Sequence, residues 1–104
     1  MNDRKTIYGI TSLIPKGKVL TYAMVGEIAG VKNPRIVGNI LHKNPGPEKI
    51  PCHRVVNSQG KVAAKFAFGG AKGQVEKLLN EGVKVQNGKI DLNKFLWITQ
   101  ILSS

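Results

Sequence analysis

Acidic residues and cysteine are scarce in this sequence. Of its 104 residues, 16 are Lys or Arg and only 6 are Asp or Glu, leaving a formal net charge of +10 and a pI near 10.1. The single cysteine, Cys52, excludes an internal disulfide, so the fold needs no oxidising compartment and a cytoplasmic location is expected, nucleoid-associated in a prokaryote. No apolar stretch approaches the roughly 18 residues of a membrane span. The N-terminal "MNDRKTIYGI" lacks the apolar run and small-residue cleavage site of a signal peptide. A hydrophobic share of 41% and a charged share of 21% suit a globular chain, and the length suits one domain over 1–104 with one modest core. A charge this one-sided points to a polyanion, because neutralising phosphates releases condensed counterions. A solubilising surface, or a ribosomal or membrane-surface association, is the blander alternative.

The pattern of residues predicts a mainly α protein with small β elements, an α+β fold. In 3–14, Ile7, Ile10, Leu13 and Ile14 recur at helical spacing, with Asp3 near the start where the macrodipole favours an anion. After "PKGK" a second helix follows Thr21 as N-cap, with Met24, Val25 and Ile28 on one side and Gly30 as its stop. A third begins with Asn33 as cap and Pro34 at the first helical position. It carries Ile36, Val37, Ile40 and Leu41 inward and Arg35, Asn39, His42 and Lys43 outward, and "NPGP" ends it. Two short helices with a tight turn, the second basic outside, have the form of a helix-turn-helix. "IPCHRVV" reads as a turn into a brief strand, "NSQG" as a turn and 61–73 as an ordered loop. The stretch 71–82 reads as a helix with Val75, Leu78 and Leu79 inward and Gly82 as C-cap. The stretch 83–92 reads as a hairpin about "NG". Phe95, Leu96, Trp97 and Ile98 suit a packing lid better than a ligand site.

Chemistry concentrates at "IPCHRVV". Zinc wants three or four Cys, His or carboxylate ligands at set spacings, and Cys52 has only His53 beside it and His42 ten residues upstream. No metal is expected. A free cysteine is commonly a small buried hydrophobe. A nucleophile instead needs a thiolate, favoured by an adjacent imidazole or cations such as His53 and Arg54, with a third group orienting the His. Glu81, ending "LLNEG", is a candidate for that third group; Glu27, Glu48, Glu76 and Asp91 remain open by spacing.

The run "GKVLTYAMVGEIAG…PRIVGNILHKNP…IPCHRVV…LLNEG" resembles the DNA-binding and active-site domain of the O6-alkylguanine-DNA alkyltransferases, over about residues 7–82. "PCHRV" after a helix ending in "NP" is a specific signature. The resemblance implies a winged helix-turn-helix-like single domain that binds double-stranded DNA through the minor groove and turns alkylated guanine into a pocket. It implies Cys52 as alkyl acceptor, His53 as its base through a bridging water, Glu81 orienting the His, and Asn44 bonding beside the site. On the DNA side it implies Tyr22 turning the nucleotide out, Arg35 filling the gap, and Thr21 and Asn39 in contact. Val55 would contact the guanine through its backbone, with Pro51, Phe66 and Phe68 around the pocket, and Arg54 would support the site. Thiolate attack on an alkyl carbon yields a thioether that water does not cleave, so the protein would be consumed once per lesion, without redox or organic cofactor. A monomer is expected.

Three features depart from that pattern. The family's usual preceding domain is absent. The loop after "PCHRVV" carries Phe66 or Phe68 where a Tyr is usual, and is about two residues longer. The tail "EGVKVQNGKIDLNKFLW" resembles the alkyltransferase-like proteins, small relatives with Trp or Ala at the cysteine position, which flag the lesion for nucleotide excision repair proteins. Cys52, His53 and Glu81 together favour transfer; the loop and the missing domain favour sensing. A third reading, a basic helix-turn-helix module without lesion recognition, leaves "PCHR" unexplained.

Overall fold

A computed structural model describes residues 3–97. The described residues form α1 (Asp3–Leu13), β1 (Leu20–Thr21), α2 (Tyr22–Ala29), α3 (Pro34–His42), a 3-10 turn (Cys52–Arg54), β2 (Val55–Val56), α4 (Gly70–Asn80), β3 (Val85–Gln86), β4 (Lys89–Ile90) and α5 (Leu92–Phe95). The architecture is mainly helical with two small sheets, as expected. No helix among the described residues is long and apolar enough to cross a membrane.

The helix signals act as read. Thr21 Oγ1 accepts the Met24 N–H, and Gly30 closes α2 at φ 79°. Asn33 accepts the Arg35 N–H, with Pro34 opening α3. The turn between these helices is tight enough to demand glycine at Gly26, where a Cβ would lie 2.5 Å from the Val31 carbonyl oxygen and 3.3 Å from Val37 Cγ2. The second hairpin residue pair, Asn87 and Gly88, takes positive φ (54° and 72°), as an "NG" turn requires.

Inward faces differ from the apolar pattern at several positions. Leu13, Ile28, Ile36 and Leu79 are exposed, at 69%, 51%, 42% and 51%. Two polar residues are fully buried in their helices instead. Thr11 is satisfied by donating to the Ile7 carbonyl at 2.7 Å, and Gln74 by three longer-range bonds described below. Burial of a polar group depends on whether partners meet it, which periodicity does not report. The expected loop 61–73 is irregular only to Gly69, its last four residues forming the first turn of α4. Helix α4 ends at Glu81 as C-cap, one residue before the expected Gly82. Gly82 is left-handed at φ 85°, with its N–H on Leu79 O and that of Val83 on Leu78 O. This is the paired Schellman closure.

The two-residue strands β1 and β2 pair in parallel, Leu20 with Val55 and Thr21 with Val56. Because side chains alternate along a strand, Leu20 and Val55 join a core cluster with Ile7, Val25, Val37 and Leu41. Val19 and Val56 join a second with Leu78, Val83 and Ile90. Phe95 packs on the second cluster and Trp97 on the first. Backbone bonds link Val19 N–H to Phe95 O and Trp97 N–H to Val19 O, consistent with a packing lid; Ile98 lies outside the described residues.

Candidate active site and nucleic-acid interface

The parallel β1–β2 ladder sets the site, because it places the start of α2 beside the turn carrying Cys52. Between them opens a cavity of about 300 Å³, near the small end of ligand pockets. Tyr22 from α2, Asn39 and His42 from α3, Cys52, and Lys65 and Phe66 from the loop before α4 line it. Cys52 is only 4% exposed, and its turn is fixed by Cys52 N–H to Ile50 O, Arg54 N–H to Pro51 O and Val55 N–H to Cys52 O.

Behind Cys52 runs a polar chain. His53 Nε2 lies 2.8 Å from Glu81 Oε2. Since a carboxylate only accepts, Nε2 carries the proton. Burial lowers the His53 pKa against the opposing pull of Glu81, and Arg54 and Lys77 push the same way as burial. The ring is therefore neutral near pH 7, with a bare lone pair on Nδ1, which is buried and accepts no hydrogen bond among the described residues. Arg54 reaches the same carboxylate through Nε at 2.9 Å and Nη2 at 2.6 Å, and donates through Nη1 to the Ile14 carbonyl at 2.7 Å. For Glu81, burial alone would raise the pKa, but the Arg54 and His53 hydrogen bonds outweigh it and bring it to about 2. The Schellman closure of α4 is what delivers Glu81 to both partners.

The Cys52 thiol does not follow the expected direction. Burial raises its pKa, and a hydrogen bond from Asn44, the local backbone and the charge of Lys77 offset this only in part. His53, adjacent in sequence, is not among the groups that shift it. Tyr22 is also pushed up, by burial and then by the Cys52 charge.

The candidate residues divide accordingly. Cys52, Tyr22, Asn39 and Phe66 meet at the cavity. Asn44 is 7% exposed and ties together the segment leading to Cys52, Nδ2 donating to Ile50 O at 2.6 Å and Oδ1 accepting from Gly46 N–H at 2.9 Å. Arg35 stands exposed on the first turn of α3, one turn before Asn39 on the same helical face. Thr21 is 4% exposed and its hydroxyl oxygen caps α2. Pro51, Val55 and Phe68 do not line the cavity. Val55 is fully buried, its N–H on Cys52 O and its carbonyl accepting from Gln74, and Phe68 braces Phe66 edge-on at 5.8 Å. Among the described residues no cluster of three His, Cys, Asp or Glu is placed to hold a metal ion.

Sequence reasoning missed Gln74. Fully buried on α4, it donates Nε2 to the His53 and Val55 carbonyls at 3.1 and 3.0 Å and accepts the Ala63 N–H at 2.8 Å. One side chain thus joins the Cys52 turn to the cavity loop. No local signal marks a Gln for this; its partners lie 11 to 21 residues away. Lys65 and His42 were likewise not read as cavity residues.

The family model for the DNA-binding domain of 6-O-methylguanine DNA methyltransferase matches residues 2–83. A DNA base-flipping protein of Vibrio parahaemolyticus is 41% identical over 93 residues, covering 88% of this chain and 91% of that protein. A methylated-DNA–protein-cysteine methyltransferase of Methanothermobacter thermautotrophicus is 37% identical over 83 residues, and there the match covers 80% of this chain but 46% of the relative. Among solved structures, that of Schizosaccharomyces pombe Atl1 in complex with damaged DNA containing O6-carboxymethylguanine superposes with a TM-score of 0.82 at 28% identity, covering 91% of this chain and 94% of that one.

Proposed function

The chain belongs to the family of the 6-O-methylguanine DNA methyltransferase DNA-binding domain, and from that premise we propose that it binds duplex DNA, receives an extruded O6-alkylguanine in the Cys52 cavity and transfers the alkyl group to Cys52. The observation that carries this reading is the cavity-lining thiol with a neutral, buried His53 behind it, held by Glu81 and Arg54. A base inside a duplex is out of reach of any side chain, so extrusion is required, at a few kcal/mol. Tyr22 turns the nucleotide and Arg35 fills the stack.

In the reaction, the Cys52 proton passes through a water to His53 Nδ1. The sulfur lone pair attacks the alkyl carbon, the carbon–O6 bond breaks, and its electrons return to the guanine, which takes the proton back at N1. Products are guanine and S-alkylcysteine. Because burial raises the thiol pKa, no standing thiolate is invoked, and the proton leaves for His53 as the sulfur attacks. Each chain acts once, needs no cofactor, and works as a monomer.

A second reading, a sensor that binds the lesion and hands it to nucleotide excision repair proteins without transfer, is favoured by the raised thiol pKa. The near-complete coverage of the Atl1 chain points the same way. Intact mass after incubation with an O6-methylguanine duplex separates the two. Gain of one methyl, lost in Cys52→Ala, is the expected result; tight binding at unchanged mass refutes transfer and leaves sensing.

A further inference from the structure

A second opening lies away from the Cys52 cavity, on the tail hairpin. Strands β3 and β4 pair Val85 with Ile90 and Gln86 with Lys89. Alternation along the chain sends Val83 and Ile90 into the second core cluster and leaves Lys84, Gln86, Lys89 and Asp91 on the outer face. With Lys94 and Phe95 of α5 they line a hollow of about 210 Å³. Its one carboxylate is that of Asp91, whose Oδ1 caps α5 by accepting the Asn93 N–H at 2.9 Å. Lys84, Lys89 and Lys94 are exposed and make no ion pair among the described residues. Two more lysines crowd them. Lys61 stands directly opposite Lys89 in an antiparallel bridge, and Lys18 Nζ donates to the Lys94 carbonyl at 3.4 Å. Like charges directly opposite across a ladder destabilise it, so this row weakens the isolated fold and an anionic partner relieves it.

The hollow and the Cys52 cavity share no residue. They also sit over different cores. Tyr22, Leu41, Cys52 and Phe66 belong with the first cluster, Phe95 and Ile90 with the second, and the β1–β2 ladder runs between the two. A duplex engaged by Tyr22 and Arg35 therefore leaves these lysines unneutralised. The wall offers ammonium groups and an amide, with Phe95 alone as apolar surface. A duplex backbone, with one negative charge per about 1.7 Å of axis, matches such a wall better than a protein partner does, because protein interfaces are depleted in lysine. We propose that the outer face of the tail hairpin, formed by Lys84, Lys89 and Lys94 with Lys18 and Lys61 beside them, is a second nucleic-acid surface that grips the backbone of a separate DNA duplex, so that one chain holds two duplexes. This rests on the proposed function only in that the α3 face holds the first duplex.

In the test, a biotinylated duplex carrying O6-methylguanine is fixed on beads and a fluorescent unmodified duplex is offered in solution. The wild-type chain is compared with the triple variant Lys84→Gln, Lys89→Gln, Lys94→Gln, each with Cys52→Ala to prevent turnover. The wild-type background captures the fluorescent duplex, and the triple variant captures it on the order of tenfold less. The salt dependence of capture becomes shallower by about one in log–log slope per lysine removed. Affinity for a short lesion duplex changes by less than about twofold, since charges beyond a Debye length are screened. Sedimentation of the wild-type mixture gives one chain with two duplexes. No capture, equal capture by the variant, or two chains in the bridged species overturns the inference. So does an equal loss on the short lesion duplex, which assigns the lysines to the duplex that α3 already holds. Polyglutamate that displaces the fluorescent duplex as well as unlabelled DNA does assigns the face to acidic chains and overturns it too. The triple variant unfolds at no lower urea concentration than the wild-type background; a lower midpoint removes the repulsion on which the inference stands. Failure to prefer the lesion over guanine on short duplexes refutes the proposed function alone, and capture between two unmodified duplexes then decides the inference.

Discussion

Replacing Glu81 by Gln tests the polar chain behind Cys52. The substitution keeps the size of the side chain and one acceptor oxygen but removes the charge. It leaves the Arg54 guanidinium, whose side chain is 16% exposed, without its anion, and weakens the 2.8 Å contact to His53. Removing one partner of a buried ion pair costs about 3–5 kcal/mol. The remaining amide oxygen and the partial exposure of Arg54 bring the expectation to about 2–3 kcal/mol, a large part of the roughly 5–15 kcal/mol of a typical domain. Urea unfolding at neutral pH measures it. Arg54→Met together with Glu81→Gln then removes the stranded cation, and the double variant is expected to be more stable than Glu81→Gln alone. The pH dependence supplies an independent readout. The folded chain holds His53 below its ordinary value near 6.5 and Glu81 below its ordinary value near 4.5, at about 2. In both cases the unfolded chain binds the proton first, so stability falls as pH drops, below about 6.5 for His53 and from about 4.5 towards 2 for Glu81. Glu81→Gln flattens the lower window, worth about 2 kcal/mol after allowance for solvent screening. A loss below about 0.5 kcal/mol, or a double variant no more stable than the single, refutes the account of Arg54 as dependent on Glu81.

Other substitutions probe the frame. Gly26→Ala drives a Cβ to 2.5 Å from the Val31 carbonyl oxygen and is expected to cost more than about 2 kcal/mol by thermal unfolding, as overpacking does. Gly9→Ala in α1 meets nothing within 4 Å and should instead stabilise by about 0.5–1 kcal/mol; a loss there would contradict the helix geometry. Gln74→Leu strands the Ala63 N–H and two carbonyls. Its expected cost is about 2–4 kcal/mol in chemical denaturation, with faster amide exchange at Ala63; unchanged exchange would show that Gln74 does not hold the loop. On DNA, affinity is expected to fall steeply with salt. Arg35→Ala should weaken lesion binding about tenfold, more than alanine at an exposed lysine such as Lys32, and equal losses would remove the stack-filling role.

Much of the local structure was legible in the residues themselves. Thr21, Asn33, Pro34, Gly30 and the "NG" hairpin each act within a few positions of where they stand, so their effect is written in nearest neighbours. The family resemblance likewise singled out Cys52, His53, Asn44 and Glu81. Only the tertiary structure decided what these groups meet. Two parallel strands of two residues each, Leu20–Thr21 and Val55–Val56, carry too little pattern to be read, yet they bring Tyr22 to Cys52. Thr11 and Gln74 go inside while Leu13 and Leu79 stay out. Burial follows from the partners that folding supplies, and for Gln74 these are carbonyls and an amide from distant turns. The thiol pKa rises rather than falls for the same reason: desolvation is a property of the surroundings, and the histidine adjacent in sequence spends its proton on Glu81.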